Sequence, residues 1–354
     1  MAHNVPNTTG QVDLPMIDLS HPDGVGSGKA LLDAAVKYGF LYVDSRTCAF
    51  SGSDIDQMFA ISEEFFGLST AEKLPFRRGA NNRGWVGMHV ETLDPEHHEK
   101  GDFKEALNIG ELENGTLQQP LPSCTAAHER TIARFTELCN QTCSQILQFL
   151  AHGLEIPGDY FTSRHDPSHG ATGNSLRLLY YPASITSYRS GKDIRAGAHS
   201  DYGSITLLFQ RPGQPGLEIK TAPESEWAPV PVYPDTPTDY PFPPILVNIG
   251  DMLSYWTDGL LKSTIHRVVF PHEAQREGAN DRQDRYSIAF FCQPVGSTEL
   301  TTVPSAVVAA HRKEQSQVRG SSVGYGGGAV SLDDHRATAA EHLQSRFAAT
   351  YITK

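Results

Sequence analysis

The second half of the chain is a series of short apolar runs, and this pattern constrains the fold more than any other feature. Turn-forming residues, many of them Gly and Pro, separate each run from the next. Short strands that alternate with frequent turns are typical of a β-sandwich or a jelly roll. The sequence therefore predicts strands in the six runs at 175–181, 203–210, 217–220, 245–249, 264–270 and 286–293.

The first half of the chain has helical spacing instead. Apolar residues recur every three or four positions at 29–38, 55–66 and 126–152, which predicts amphipathic helices. Short apolar runs at 14–19 and 40–43 indicate strands among them. The fold class that follows is mainly β with helices.

The spacing also divides the chain into segments. A Gly- and Ser-rich stretch at 320–328 predicts a linker, and helical spacing returns at 332–351. We therefore predict a flexible tail at 1–12, a region of helices and strands at 13–155, a strand-rich domain at 174–300, and a linker with a C-terminal helix at 301–354.

Charge and composition exclude several classes of partner. Asp and Glu outnumber Lys and Arg by 41 to 29, and the formal net charge of -12 opposes binding to nucleic acid or anionic membranes. No stretch approaches the ~18 consecutive apolar residues of a membrane span. The five cysteines include no Cys-x-x-Cys pair and indicate reduced thiols. We expect a cytoplasmic protein with a small-molecule substrate; the oligomeric state stays open.

The triplet His199-Ser200-Asp201 is the first candidate for chemistry. On a strand, side chains alternate between faces, so His199 and Asp201 point to the same side and can bind one metal ion. Such a triplet also arises by chance, and by itself a surface strand or turn explains it.

A distant histidine supports the metal-site interpretation. His266 lies in the strand candidate at 264–270. Two histidines and one carboxylate form the facial triad of non-haem Fe(II) oxygenases, which leaves coordination positions open for O2 and an organic ligand.

Arg285 and Ser287 lie two residues apart at the start of the last strand candidate, so they share a face. The guanidinium group offers a forked pair of donors that matches a carboxylate, and the serine hydroxyl adds a third donor. An exposed ion pair is the alternative for Arg285, because Asp281 and Asp284 lie nearby in a charged run.

Many further motifs follow in a characteristic order, at 14–20, 39–43, 66–73, 83–85, 101–105, 181–182, 199–208, 216–219, 247–253 and 263–268. In this order and over nearly its whole length, the chain resembles the 2-oxoglutarate/Fe(II) oxygenase superfamily, and within it the isopenicillin N synthase-like group.

The resemblance implies a double-stranded β-helix, or jelly-roll, core. It implies that His199, Asp201 and His266 bind Fe(II), that Arg285 and Ser287 bind the far carboxylate of 2-oxoglutarate, and that Tyr181 adds a hydroxyl contact. There is one departure: many members of the group have Asn two residues before this tyrosine, where this chain has Leu179.

The implied reaction uses O2 and 2-oxoglutarate to oxidise a C–H bond of a small organic molecule, and it releases succinate and CO2. Hydroxylation, desaturation and ring formation are all open outcomes, and the resemblance favours a role in secondary metabolism. Two alternatives remain: an isopenicillin N synthase-like oxidase that uses no 2-oxoglutarate, and a non-catalytic binding or sensor protein on the same fold.

Four aromatic residues are candidates for the substrate pocket. Phe209 and Phe291 lie on strand candidates, although aromatic residues in strands are more often part of the core. Trp85 and Phe103 lie in the part of the chain that often borders the entrance in the resembling group.

Overall fold

The computed structural model describes residues 11–20, 25–113, 115–183, 189, 192–234, 239–270, 283–317 and 337–350. Its fold combines sheets and helices, as the two periodicities predict. The predicted tail, apart from residues 11 and 12, and the predicted linker at 320–328 lie outside the described residues. In the part of the chain that is described, no helix is both long and apolar enough to cross a membrane.

Strands occur throughout the described residues, and the six predicted runs all contain one. The strands are β1 (Met16–Ile17), β2 (Phe40–Val43), β3 (Gly84–Val86), β4 (Glu105–Ile109), β5 (Leu112–Glu113), β6 (Thr116–Leu117), β7 (Ser175–Tyr181), β8 (Ala196–His199), β9 (Ile205–Gln210), β10 (Leu217–Ile219), β11 (Ala228–Pro229), β12 (Ile245–Ile249), β13 (His266–Val268) and β14 (Arg285–Cys292).

The three predicted N-terminal helices are also present. The α-helices of the described chain are α1 (Val25–Lys37), α2 (Gly52–Gly67), α3 (Thr70–Lys73), α4 (Ser123–Ala126), α5 (Glu129–Gly153), α6 (Asp251–Trp256), α7 (Ala306–Gln317) and α8 (Ala339–Thr350). Ser69 and Glu72 form a capping box at the start of α3.

Most strands join one of two sheets. The large sheet has the order β1-β2-β12-β9-β14-β7-β4-β3, and the small sheet has the order β11-β10-β13-β8. The strands β5 and β6 form a separate pair. The central strand β14 pairs with β7 on one side and β9 on the other, both antiparallel. Strands distant in sequence are therefore neighbours in the sheet.

Strand alternation gives the large sheet two different faces. On β14, Ile288 and Phe290 belong to the apolar cluster that includes residues of α1, α2 and α5. Ala289 and Phe291 point the other way and pack with residues of the small sheet, such as Leu217. The helices therefore cover one face, and the space between the sheets lies on the other.

Helices α1 and α5 approach closely because two glycines meet at their contact. A Cβ atom added at Gly28 would lie 2.9 Å from the carbonyl oxygen of Phe149, and one at Gly153 would lie 2.5 Å from the carbonyl oxygen of Gly28. Larger residues at either position would force these helices apart. This contact braces the helical face of the large sheet.

The sequence pattern missed several elements. Strands β3 to β6 are two to five residues long, too short for periodicity to reveal. Strand β8 carries a Gly-containing sequence of low strand propensity, and α7 lies where only a linker was predicted. Tertiary pairing, rather than local propensity, determines these elements.

Candidate active site

The two histidines of the predicted triad lie on adjacent strands of the small sheet. His266 on β13 pairs directly with His199 on β8, and their ring centroids are 4.3 Å apart. The condition that His199 and Asp201 lie on one strand is not met, because β8 ends at His199. Asp201 lies two residues beyond the end of β8, yet its carboxylate lies beside the two imidazoles.

Three ligand atoms converge between the sheets. The Oδ1 atom of Asp201 lies 3.9 Å from Nε2 of His199 and 3.7 Å from Nε2 of His266. One ligand atom from each of the three residues lies within 4.8 Å of the others. Two imidazoles and one carboxylate at this spacing match the donor set of a facial Fe(II) site.

Hydrogen bonds fix the other polar atoms of both imidazoles. The Nδ1 atom of His199 lies 2.8 Å from the carbonyl oxygen of Gly197, and that of His266 lies 3.1 Å from the carbonyl oxygen of Thr264. Because a carbonyl only accepts, each Nδ1 carries the proton and each Nε2 keeps a lone pair for a metal.

Two hydrogen bonds orient the carboxylate of Asp201. Its Oδ2 atom accepts from the hydroxyl of Thr206 at 2.6 Å and from the amide of Asn248 at 2.7 Å. Thr206 and Asn248 are paired residues on β9 and β12 of the large sheet. Oδ1 is therefore the oxygen left for a metal.

The protonation states suit metal binding. Burial, with the neighbouring His266, lowers the pKa of His199 to about 3, so its imidazole is neutral at physiological pH. Burial would raise the pKa of Asp201, but the two histidines and the bonds from Thr206 and Asn248 outweigh it, and the pKa is lowered. About a fifth of the His199 side chain, 21%, is exposed, which leaves an open side.

Arg285 lies in the cavity between the sheets, with only 1% of its surface exposed. Its guanidinium donates to the Ser287 hydroxyl at 3.2 Å and to the Gln214 carbonyl at 3.2 Å, and lies 4.9 Å from the centre of the Tyr181 ring. Among the described residues no carboxylate pairs with it. Burial lowers the pKa of Arg285, but an arginine still keeps its charge.

Two adjoining cavities meet at the triad. The inner cavity is lined by Tyr181, Leu179, Arg285 and Ser287 together with the three ligand residues. The outer cavity begins at His199 and Asp201 and extends past Phe291 towards Leu343 on α8. The structure thus brings the predicted triad, clamp and Phe291 into one continuous space.

The other aromatic candidates lie elsewhere. Phe209 packs against Phe50 and Phe135 on the helical face, because position 209 alternates with the cavity-facing Leu208. Trp85 belongs to the same core and donates its indole N–H to Glu105. Phe103 is buried edge-on against Phe270. None of these three residues lines either cavity.

Three further residues, not predicted from the sequence, hold the site in place. Thr206 and Asn248 orient Asp201, and Gln210 lies 3.5 Å from the Arg285 guanidinium. Strand alternation could have indicated them, because polar residues at cavity-facing positions of buried strands need partners.

Two family models match the chain. The N-terminal model for non-haem dioxygenases in morphine synthesis matches residues 14–126, and the model for the 2OG-Fe(II) oxygenase superfamily matches residues 172–294. The second match contains His199, Asp201, His266 and Arg285. The first match covers the motifs from 14–20 to 101–105, and the second covers those from 181–182 to 263–268.

Two relatives are similar to this chain over most of its length. The UPF0676 protein C1494.01 of Schizosaccharomyces pombe is 36% identical over 297 residues, covering 82% of this chain and 85% of that protein. The 2-oxoglutarate-dependent dioxygenase ecdK of Aspergillus rugulosus is 30% identical over 291 residues, covering 75% and 82%.

A solved structure agrees with these matches. A full-length Neurospora crassa protein in complex with alpha-KG and thymine superimposes with a TM-score of 0.75 at 28% identity, covering 98% of this chain and 99% of that one. The matching family models and relatives agree with the His-Asp-His cluster and the buried arginine. The chain belongs to the 2-oxoglutarate/Fe(II) oxygenase superfamily and is a dioxygenase that uses Fe(II), 2-oxoglutarate and O2.

Proposed function

We propose that the enzyme oxidises a C–H bond of a small organic molecule at the junction of the two cavities. His199, Asp201 and His266 bind the iron, and Arg285 and Ser287 bind the far carboxylate of 2-oxoglutarate. When bound, iron and 2-oxoglutarate supply the activation of O2, with succinate and CO2 as products. The observation that carries the proposal is a buried arginine without a carboxylate partner among the described residues, facing the same cavity as the triad.

The environment of Arg285 favours an anion over water. A buried charge is costly unless a counter-charge and hydrogen bonds compensate it. The Ser287 hydroxyl and the Gln214 carbonyl help to fix the guanidinium plane. Tyr181, directly across from Arg285 in the β7–β14 pair, places its ring beside the same group. A dianionic co-substrate supplies the missing charge.

The outer cavity is the proposed site of the prime substrate. Phe291 and Leu343 offer apolar contacts, and Asn81 and Ser175 offer polar ones. The similar Neurospora crassa structure contains thymine, which supports a small molecule as the substrate. A role in secondary metabolism is part of the proposal, and fungal 2-oxoglutarate-dependent dioxygenases among the relatives support it.

We also propose that residues 174–300 form a double-stranded β-helix, with 13–155 and 301–354 as flanking regions. The described strands of this segment divide between two sheets whose facing residues share an apolar cluster. The family matches at 14–126 and 172–294 support the same division.

An anaerobic optical titration tests the proposal. Metal-free protein is titrated with Fe(II) and then with 2-oxoglutarate, while the visible charge-transfer band of a chelated 2-oxo acid is followed. We expect the band in the wild type and about 100-fold weaker 2-oxoglutarate binding in Arg285→Ala, since a charge-assisted hydrogen bond contributes ~1.5–3 kcal/mol. Arg211→Ala, which removes a guanidinium paired with Glu63 outside both cavities, is the control and keeps wild-type binding.

The outcomes separate the alternatives. Iron binding without the band contradicts the proposed clamp and favours an oxidase that binds a substrate carboxylate at Arg285. Absence of iron binding contradicts the roles of His199, Asp201 and His266. A band without any O2-dependent decarboxylation of 2-oxoglutarate would favour a binding or sensor protein.

A further inference from the structure

A cluster of four charged side chains lies beside the triad. Lys104 pairs with Asp102 and also lies 3.3 Å from Glu91, and Glu91 pairs in turn with Arg177. Asp102, Glu91 and Lys104 are each at most 3% exposed, and Lys104 and Arg177 line the inner cavity. The four charges balance, as buried charges must.

One oxygen of Asp102 makes a contact outside this cluster. While Oδ2 faces Lys104, Oδ1 accepts a hydrogen bond of 3.1 Å from the backbone N–H of Gly197. Gly197 lies on β8, two residues before His199. The carbonyl oxygen of Gly197 is the acceptor that fixes His199 Nδ1, at 2.8 Å. Residue Gly197 therefore connects Asp102 to the imidazole of His199.

The backbone at Gly197 packs closely against the segment that contains Asp94 and Asp102. A Cβ atom there would lie 2.8 Å from Asp94 and 3.4 Å from Oδ1 of Asp102. Strand β8 thus packs closely against Asp94, and a side chain at position 197 would collide with it. A substitution at Asp102 would therefore affect His199 through a single intervening residue, Gly197.

The charge of the cluster keeps Asp102 in its place. Burial would lower the pKa of Lys104, but Asp102 and Glu91 outweigh it and raise the pKa, so Lys104 stays protonated. An ammonium group on Oδ2 leaves Oδ1 as the oxygen that faces Gly197. The orientation of the carboxylate is therefore determined on both sides.

We propose that Asp102 is a positioning residue, which sets the orientation of the His199 imidazole through Gly197 while Lys104 holds the Asp102 carboxylate in place. This inference rests on the proposed role of His199 as a metal ligand. His266 is held differently: its Nδ1 partner is the Thr264 carbonyl, and the Thr264 hydroxyl donates to the Tyr38 carbonyl. Asp102 therefore acts on one ligand of the three.

Co(II) binding to the full-length protein provides the test, because its ligand-field spectrum reports ligand geometry without any substrate. Asp102→Ala removes the acceptor for Gly197 and leaves Lys104 close to Glu91. We expect about 10-fold weaker Co(II) binding, the lower end of the range for groups that support metal ligands, and a changed visible spectrum.

The near-isosteric variant Asp102→Asn provides a second test. Its single oxygen can accept from Gly197 or from Lys104, while its amide N–H faces the other donor, so we expect weakened Co(II) binding. The double variant Asp102→Asn/Lys104→Met removes the conflict and leaves Glu91 paired with Arg177. Recovery of the wild-type spectrum and affinity in the double variant is the expected result, and a purely structural role would not produce it.

Lys73→Met is the matched control. Lys73 forms a comparably buried pair with Glu105 at 2.8 Å, outside both cavities, and its loss should lower thermal stability without changing the Co(II) spectrum. A wild-type spectrum and affinity in both folded single variants of Asp102 overturn the inference. Failure of the wild type itself to bind Co(II) overturns the proposed metal site, and with it this inference.

Discussion

Each proposed metal ligand binds the ion through one atom. Arg285 instead provides a positive charge in the inner cavity for the co-substrate carboxylate. We expect His199→Ala to abolish Fe(II) binding, because two remaining ligands leave the ion without its third protein donor. Arg285→Ala should keep iron and bind 2-oxoglutarate about 100-fold more weakly. Iron content after anaerobic reconstitution, followed by titration with 2-oxoglutarate, checks both, and equal loss of iron in the two variants would contradict the division of roles.

Leu179 occupies the position where many members of the group have Asn. It lines the inner cavity and pairs with Ser287 across β7 and β14. We expect Leu179→Asn to leave steady-state activity and the apparent KM for 2-oxoglutarate largely unchanged, because Arg285, Ser287 and Tyr181 already provide the polar contacts. Turnover of 2-oxoglutarate at varied concentration measures this. A large gain in apparent affinity would show that the missing amide matters.

Among the helices, α8 borders the outer cavity. Leu343 lines that cavity, and Arg346 pairs with Asp251 at 2.7 Å and lies over the ring of Tyr202, next to Asp201. The first turn of the helix contains the buried His342. The packing of α8 therefore depends on the charge of this histidine.

Acid should loosen α8. Burial, with Arg346, lowers the pKa of His342 to about 4, so the packed helix needs the neutral imidazole. A released histidine takes up a proton below its ordinary pKa of ~6.5, so the stabilisation is complete above that pH and is lost as the pH falls towards 4. Hydrogen-exchange protection of α8, corrected for intrinsic rates, should be lower at pH 5 than at pH 7.5. His342→Gln, which does not titrate, should remove most of the difference; unchanged protection in the wild type would contradict this.

In the whole molecule, the proposed site lies between the two sheets and takes residues from both. His199 and His266 belong to the small sheet, while Arg285, Thr206 and Asn248 belong to the large one. Metal and co-substrate bound between them should therefore stabilise the folded state against global unfolding. A ligand at about 100 times its Kd contributes ~2.7 kcal/mol.

Thermal unfolding measures this stabilisation. We expect Mn(II) to raise the Tm and 2-oxoglutarate to raise it further, by roughly 2–4 °C per kcal/mol or somewhat less in a chain of this size. Arg285→Ala should keep the first increase and lose the second. An additional rise with 2-oxoglutarate in Arg285→Ala, equal to that of the wild type, would contradict the proposed clamp.

Local sequence patterns were sufficient to predict most of the main strands and helices. Strands β2, β7 and β12 have the predicted bounds because they combine dense apolar or β-branched residues with flanking turn signals. The two-residue period correctly placed Arg285 and Ser287 on one face, since β14 is regular over eight residues. Such patterns predict which way a side chain points as long as its strand or helix is regular.

Tertiary contacts, in contrast, determine which face of each strand meets the cavity and what supports the triad. Phe209 and Phe291 look alike in sequence, but the helices cover one and the small sheet faces the other. Asp201 reaches the triad from beyond a strand end, held by Thr206 and Asn248 from two other strands. These contacts join residues far apart in the chain, and a periodicity carries no information about a partner that lies outside its own segment.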